Sequence, residues 1–170
     1  MTTATSKVRE WHDARLEAAQ QRLRESSGQT DTLEALREIV TGLLGCEQIG
    51  LFTVDHGKSR LFWSFGIDAQ HHETLESFPG FVLEHVMQGE FQLVEAAGRQ
   101  RGNDSSRSLQ VFLPIRMDGR TLAVLVMVKL LPQKIGFDES DFQLFNLISN
   151  KTGRALFDSD SHARAARKDG

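Results

Sequence analysis

The sequence has almost no cysteine, no long apolar run and no surplus of positive charge, and each shortage removes a class of protein. Cys46 is the one cysteine among 170 residues, so no internal disulfide can form and no cysteine set for a structural zinc site exists. The fold has to rest on packing. The longest apolar stretch runs from Leu122 to Val128, with Leu130 and Leu131 beyond Lys129. It falls far short of the roughly 20 residues a membrane-spanning helix needs, and the polar start carries no signal-like apolar segment. A cytoplasmic protein with no membrane partner is expected. Twenty basic residues against 23 acidic ones give a formal net charge of −3, so no overall positive field draws in nucleic acid.

Catalytic equipment is equally scarce. No glycine pattern leads from a strand into a helix as a phosphate loop requires, and no Ser, His and Asp arrangement marks a nucleophile. The chain reads as a non-enzyme. Of the six histidines, His71, His72 and His85 cluster with Glu73, but their spacing does not put two ligands on one helix face, so a solvated loop is expected and no metal site. The acidic group Asp138, Glu139 and Asp141 falls at a helix start, where capping and the helix dipole account for it. No cofactor is assigned.

What is present is enough apolar residue, 39%, for one core and too little for two. Residues 6–26 carry Val8, His12, Leu16, Ala19 and Leu23 at helical spacing, with Trp11 beside this thin stripe. Such a helix is held only by lying on the domain or on a second copy. A second helix is expected from Asp31, with Glu34 closing a capping box, and Gly45 ends it. Ile49 to Val54 and Arg60 to Phe65 flank a turn at His56 and Gly57, which is a hairpin signature. Ser77 and Pro79 begin a short helix through Val86, and Phe91 to Val94 is a brief strand. Residues 95–108 form a long loop. Leu109 to Met117 and Arg120 to Leu131 flank Asp118-Gly119, a second hairpin whose later partner is apolar on both faces and therefore central. Asp138 caps a last helix of about 20 residues whose apolar positions, from Phe142 to Phe157, are wide enough to pack on two things. The hairpin connections make the sheet antiparallel and the class α+β. The organisation is an N-terminal helix over residues 1–29, one domain over 30–157 and a polar tail over 158–170.

With this element order, the sequence resembles the GAF domain family over roughly residues 30–157. The passage Leu43-Leu44-Gly45-Cys46-Glu47-Gln48-Ile49-Gly50-Leu51-Phe52 is similar to the family's step from first helix to first strand. Ser108 to Ile115 with Pro114, followed by Asp118-Gly119-Arg120 and Thr121 to Leu125, resembles its proline-containing strand, tight turn and central strand. Phe137-Asp138-Glu139-Ser140-Asp141 resembles its closing segment. Ala123 stands where the family often has glycine. Lys129, Phe137 and Asp141 resemble part of the signature of cyclic-nucleotide-binding members, but Val128 and Phe142 replace its Asn and Glu. Cys46 suits neither the several cysteines of the sulfoxide-reductase members nor bilin attachment.

The resemblance implies a sheet of five to six strands, with the end helices on one face and a short helix plus the long loop on the other. It also implies a ligand cavity under that loop, for which Trp63, Phe65, Phe81 and His85 are candidate walls. Arg99, Arg101 and Arg107 in the loop are candidate clamps for an anionic small molecule. The end helices imply a homodimer, with Val8, Trp11, Leu16, Leu23, Leu144 and Leu147 at the interface. The expected function is a signalling module that binds a small molecule or a protein partner and passes its response to a separate output protein. The alternative is an assembly scaffold with a closed pocket.

Overall fold

The computed structural model describes residues 2–96, 108–131 and 136–158. Turn chemistry and alternation give five strands, β1 Cys46–Asp55, β2 Lys58–Phe65, β3 Gln92–Ala96, β4 Ser108–Met117 and β5 Arg120–Leu130. They pair antiparallel throughout, in the order β2-β1-β5-β4-β3. The fold is thus the expected α+β type. At the β4–β5 turn Asp118 and Gly119 have φ of 53° and 77°, the two consecutive left-handed residues that a twist-matched two-residue hairpin requires. Strand β5 is central because both its faces are apolar: Ala123, Leu125 and Met127 are buried on one side, Val124, Val126 and Val128 on the other.

Pro114 sits inside β4 opposite Val124, where a missing amide would normally break a ladder. It is tolerated because β3 ends opposite Phe112, leaving that edge of Pro114 without a strand partner. The Pro114 carbonyl instead accepts a hydrogen bond from the buried Ser149 hydroxyl.

The first sheet face carries helix α1, Thr2–Glu25, helix α2, Gly28–Glu38, with a π-helical turn over Ile39–Leu43, and helix α4, Glu139–Lys151. The other face carries a 3-10 turn, Leu75–Ser77, and the short helix α3, Leu83–Met87. Two boundaries differ from expectation. Helix α2 opens at Gly28, not Asp31, because Asp31 reaches back to accept from the Ser27 amide at 3.0 Å. Glu34 pairs with Arg37 at 2.8 Å, so the anticipated box between Asp31 and Glu34 does not form. Helix α3 starts at Leu83, since the Gln92 side chain bonds both the Gly80 carbonyl and the Val82 amide and holds the chain extended past Pro79. Helix α4 has 13 residues to Lys151, and a π-helical turn over Arg154–Asp158 carries the helical stretch on, so the expected length of about 20 residues is met in two pieces. Between them Gly153 lies so close to β4 that a Cβ there would stand 2.5 Å from the Arg116 carbonyl oxygen.

At the start of α4 the acidic residues form a capping box. The Asp138 carboxylate accepts from the Asp141 amide at 3.0 Å, and the Asp141 carboxylate accepts from the Asp138 amide at 2.9 Å. Asp141 does more than cap. Its other oxygen receives the guanidinium of Arg15 at 3.1 Å, and both side chains are almost wholly buried. Arg15 also donates to the Ser140 hydroxyl at 2.7 Å and to the Leu43 carbonyl. Beside it Ala19 is fully buried, and Leu16 and Leu23 are half-buried against the same core. The inner stripe of α1 therefore lies on its own domain.

Three expected outcomes follow from this layer. Removing one partner of a buried, hydrogen-bonded ion pair strands the other, so Arg15→Ala should cost about 3 kcal/mol in urea unfolding; a loss below about 1 kcal/mol contradicts the assignment. Gly153→Ala should cost about 1–3 kcal/mol by the same measurement, because backbone rather than a flexible side chain blocks the added methyl. Asp31 is held below its ordinary value of 3.8, first by the Ser27 amide and then by Arg22, which bridges α1 to α2 through Asp31 and Glu38. A carboxylate lowered on folding stabilises above its unfolded value and loses that contribution as pH falls through the lower folded value. The corner should therefore loosen only below the ordinary value of 3.8. A carboxyl carbon titration by NMR should place Asp31 under that value, and Arg22→Gln should move it back up.

Candidate functional site

The second sheet face, under α3, was the expected ligand wall. The chain after β2 folds back beneath the sheet, fixed where the Leu61 amide donates to the Glu73 carbonyl at 2.9 Å and the Leu75 amide to the Ser59 hydroxyl at 2.8 Å. This inserts Leu75 and Phe78 against the strands. Phe78 meets Phe52 and Phe112 edge-to-face at 5.8 and 5.6 Å between ring centroids, and His72 stacks on its other side at 4.3 Å. Val86 of α3 closes the layer, and the Thr121 hydroxyl donates to the Val86 carbonyl at 2.8 Å. Among the described residues this face is packed with apolar side chains. One polar group is caught in it: the Gln110 side-chain oxygen is buried without a hydrogen-bond partner, on a residue paired with Val94 and Val128 of the same apolar layer.

The four aromatic and histidine candidates do not come together. Phe81 packs on Phe112 at 4.8 Å, in the second face. His85, on α3, is more than half exposed, with Nδ1 3.9 Å from the Glu90 carboxylate. Trp63 and Phe65 lie on the opposite side of the sheet, Trp63 against the helical core and Phe65 beneath the Arg37 guanidinium at 5.2 Å. The physical cause is a bulge: Leu51 pairs with Trp63 but Phe52 with Leu61, so Phe62 is an extra residue in β2. Without it Leu61 and Trp63 would share a face; with it Leu61 keeps the second face and Trp63 turns to the helices. Arg99, Arg101 and Arg107 lie outside the described residues.

Of the interface candidates, Leu144 is 1% exposed within its own core and has no surface to offer a second copy. Leu16, Leu23 and Leu147 are half-buried on that core, the Val8 side chain is outside the described residues, and Trp11 is 58% exposed with the Arg15 guanidinium 4.7 Å from its ring. Arg15 meets Ser140 and Asp141 while Leu23 lies with Leu147, so α1 runs beside α4 in the same direction. Residues 2–11 consequently extend past the start of α4, by about 15 Å at helical rise.

Two open clefts border the far end of this helix pair. One, of about 380 Å³, is lined by Gln20, Leu23, Arg24, Leu147 and Lys151. The other, of about 430 Å³, is lined by Arg116 to Gly119 with Asn150, Lys151 and Arg154. The sequence reading missed both clefts and Arg15. The available signal was Arg15 sitting next to the apolar stripe at Leu16 rather than on the solvated side. Among the described residues no three His, Cys, Asp or Glu side chains gather as metal ligands, and no helix is long and apolar enough to cross a membrane. Cys46 is buried at the start of β1 on the helical side.

No family model matches the sequence, and no curated protein matches it. Solved structures do match. The GAF domain of an Acinetobacter phosphoenolpyruvate-protein phosphotransferase superposes with a TM-score of 0.59 at 16% identity, over 93% of this chain and 98% of that one. The GAF domain of a two-component sensor histidine kinase from Bacillus halodurans gives 0.57 at 10%, over 81% and 99%. A type II free methionine-R-sulfoxide reductase from Thermoplasma acidophilum gives 0.56 at 14%, over 76% and 92%. At these identities the likeness establishes the fold alone, which is GAF-like.

If the second face is a packed core, Phe112→Ala should cost about 3–5 kcal/mol in urea unfolding, while His85→Ala should change stability by less than about 0.5 kcal/mol. Equal, small effects would mean that Phe112 lines open space.

Proposed function

We propose that this chain is a non-catalytic regulatory module of a signalling system and that it works by protein contact through the α1–α4 layer. The observation that supports this reading is the packed second face: among the described residues Phe52, Leu75, Phe78, Val86 and Phe112, each at most 3% exposed, form an apolar layer between the sheet and α3, on the side where the resemblance implies a ligand cavity. Among the described residues the open clefts border helices α1 and α4 instead. The overhang of α1 supports a homodimer. An isolated helical stretch of that length is marginal in water, and a second copy across a two-fold axis would cover Trp11. The separate output protein is kept from the signalling-module expectation, and the closed face from the scaffold alternative.

A second reading, sensing of a small molecule at this face, draws on one observation, the buried and unpartnered Gln110 oxygen. A ligand N–H or O–H donor would satisfy it. Phe81 and His85 stay candidates for that reading, together with Arg99, Arg101 and Arg107.

Two measurements separate the readings. Under the protein-contact reading, a thermal-shift screen of nucleotides, amino acids and organic acids shifts nothing, and Gln110→Leu raises stability by about 1 kcal/mol by removing the orphaned acceptor. A compound that stabilises the wild type and loses its effect in Gln110→Leu replaces this reading with the second. For the dimer, light scattering should give twice the chain mass for the wild type and the monomer mass for Trp11→Glu; a wild-type monomer removes the homodimer.

A further inference from the structure

We infer that the groove between the C-terminal halves of α1 and α4 is the docking site for a short acidic segment of a partner protein, carrying one large aliphatic side chain flanked by carboxylates. The inference rests on the protein-contact reading and names the chemistry of the contact. The groove has an apolar floor, Leu23 and Leu147, both half-buried on the domain core. Its rim is cationic. Arg24 makes one side-chain bond, to Gln21 at 3.2 Å, and Lys151 has no ion-pair or hydrogen-bond partner among the described residues.

The neighbouring cleft shares Lys151 and adds Arg154; Arg116 lines it too, but its guanidinium is turned toward Gly89. Among the described residues Asp118, which pairs with Arg154 at 3.3 Å, is the one carboxylate lining either cleft, so Arg24 and Lys151 carry the unpaired positive charge. This local sign runs against the chain as a whole, whose net charge is −3. Uncompensated positive charge around an apolar slot selects a partner of opposite charge and fixes its register, while the aliphatic anchor supplies the desolvated contact. Basic side chains here also complement the negative ends of α1 and α4, which both terminate at this site. That role does not require the apolar floor to be left open as a slot. A second copy is disfavoured as occupant, since a two-fold seam at this end would bring Arg24 and Lys151 against their own equivalents.

The test is selection from a phage-displayed random-peptide library on the full chain, followed by fluorescence anisotropy with the best labelled peptide. Enriched peptides should carry Leu, Ile or Met among Asp and Glu. Lys151→Glu and Arg24→Glu should each weaken binding by at least about tenfold, Lys151→Arg should keep it, and added salt should weaken it. Leu147→Ser should also lose binding, with melting curves on every variant to show that it remains folded. The inference is overturned if no peptide is enriched, if enriched peptides lack acidic residues, or if both charge reversals leave affinity unchanged. It is equally overturned if light scattering shows that the reversals dissolve a dimer, which would put a second copy in the groove. A dimer broken by Trp11→Glu alone, with the groove binding nothing, would remove this inference and leave the protein-contact reading standing.

Discussion

The seating of α1 on the helical side of the sheet depends on one buried cation. Arg15 enters the core from a helix whose own apolar stripe is thin, and it finds all its partners at the joint of three elements. The Leu43 carbonyl is one of those a helix end leaves without an internal partner, and Arg15 supplies the missing donor. Asp141 uses one oxygen to close the cap of α4 and the other to hold Arg15, while Ser140 receives from Arg15 and donates to Asp138 at 2.9 Å. Each charged group in this network is partnered, which is the condition for a buried ion pair to be held without a large net penalty. A cation one position along the helix would not reach Asp141, so the pair also fixes how α1 is rotated and where it sits along α4.

From that joint the structure is continuous to the other face. Helix α4 grips β4 through the Ser149 bond to Pro114, and Gly153 lets the chain press against Arg116 one strand position beyond Ile115. Strand β5 in turn holds α3 through Thr121 and Val86. The two apolar layers share β4 and β5 as their common wall. A module built this way places its adaptable surface at the outer helices, because the strands between the layers are buried on both sides and have no free volume in which to move.

The sequence was most readable where local chemistry decides. Asp118-Gly119 sets a hairpin by itself, β5 declares its central place by being apolar on both faces, and Asp138 with Asp141 announces a cap. It was least readable where a long-range partner decides. The face of Trp63 depends on a single extra residue, Phe62, whose presence in β2 shows only in the pairing with β1. The start of α3 depends on Gln92 reaching across from another element, and the break after α4 on the nearness of Arg116. Arg15 looked like one of many exposed arginines because its partners are 28, 125 and 126 residues away. The candidate ligand wall failed as a group for the same reason: alternation places residues on a face, but only the bulge says which face.

The central claim is that α1 belongs to the domain and is fastened at Arg15. Native-state hydrogen exchange tests it most directly. Amides between His12 and Leu23 should exchange at the same slow, cooperative rate as those of α4, and become fast in Arg15→Met while the α4 amides stay slow. Rapid exchange of that stretch in the wild type, at rates typical of a helix without tertiary support, would contradict it.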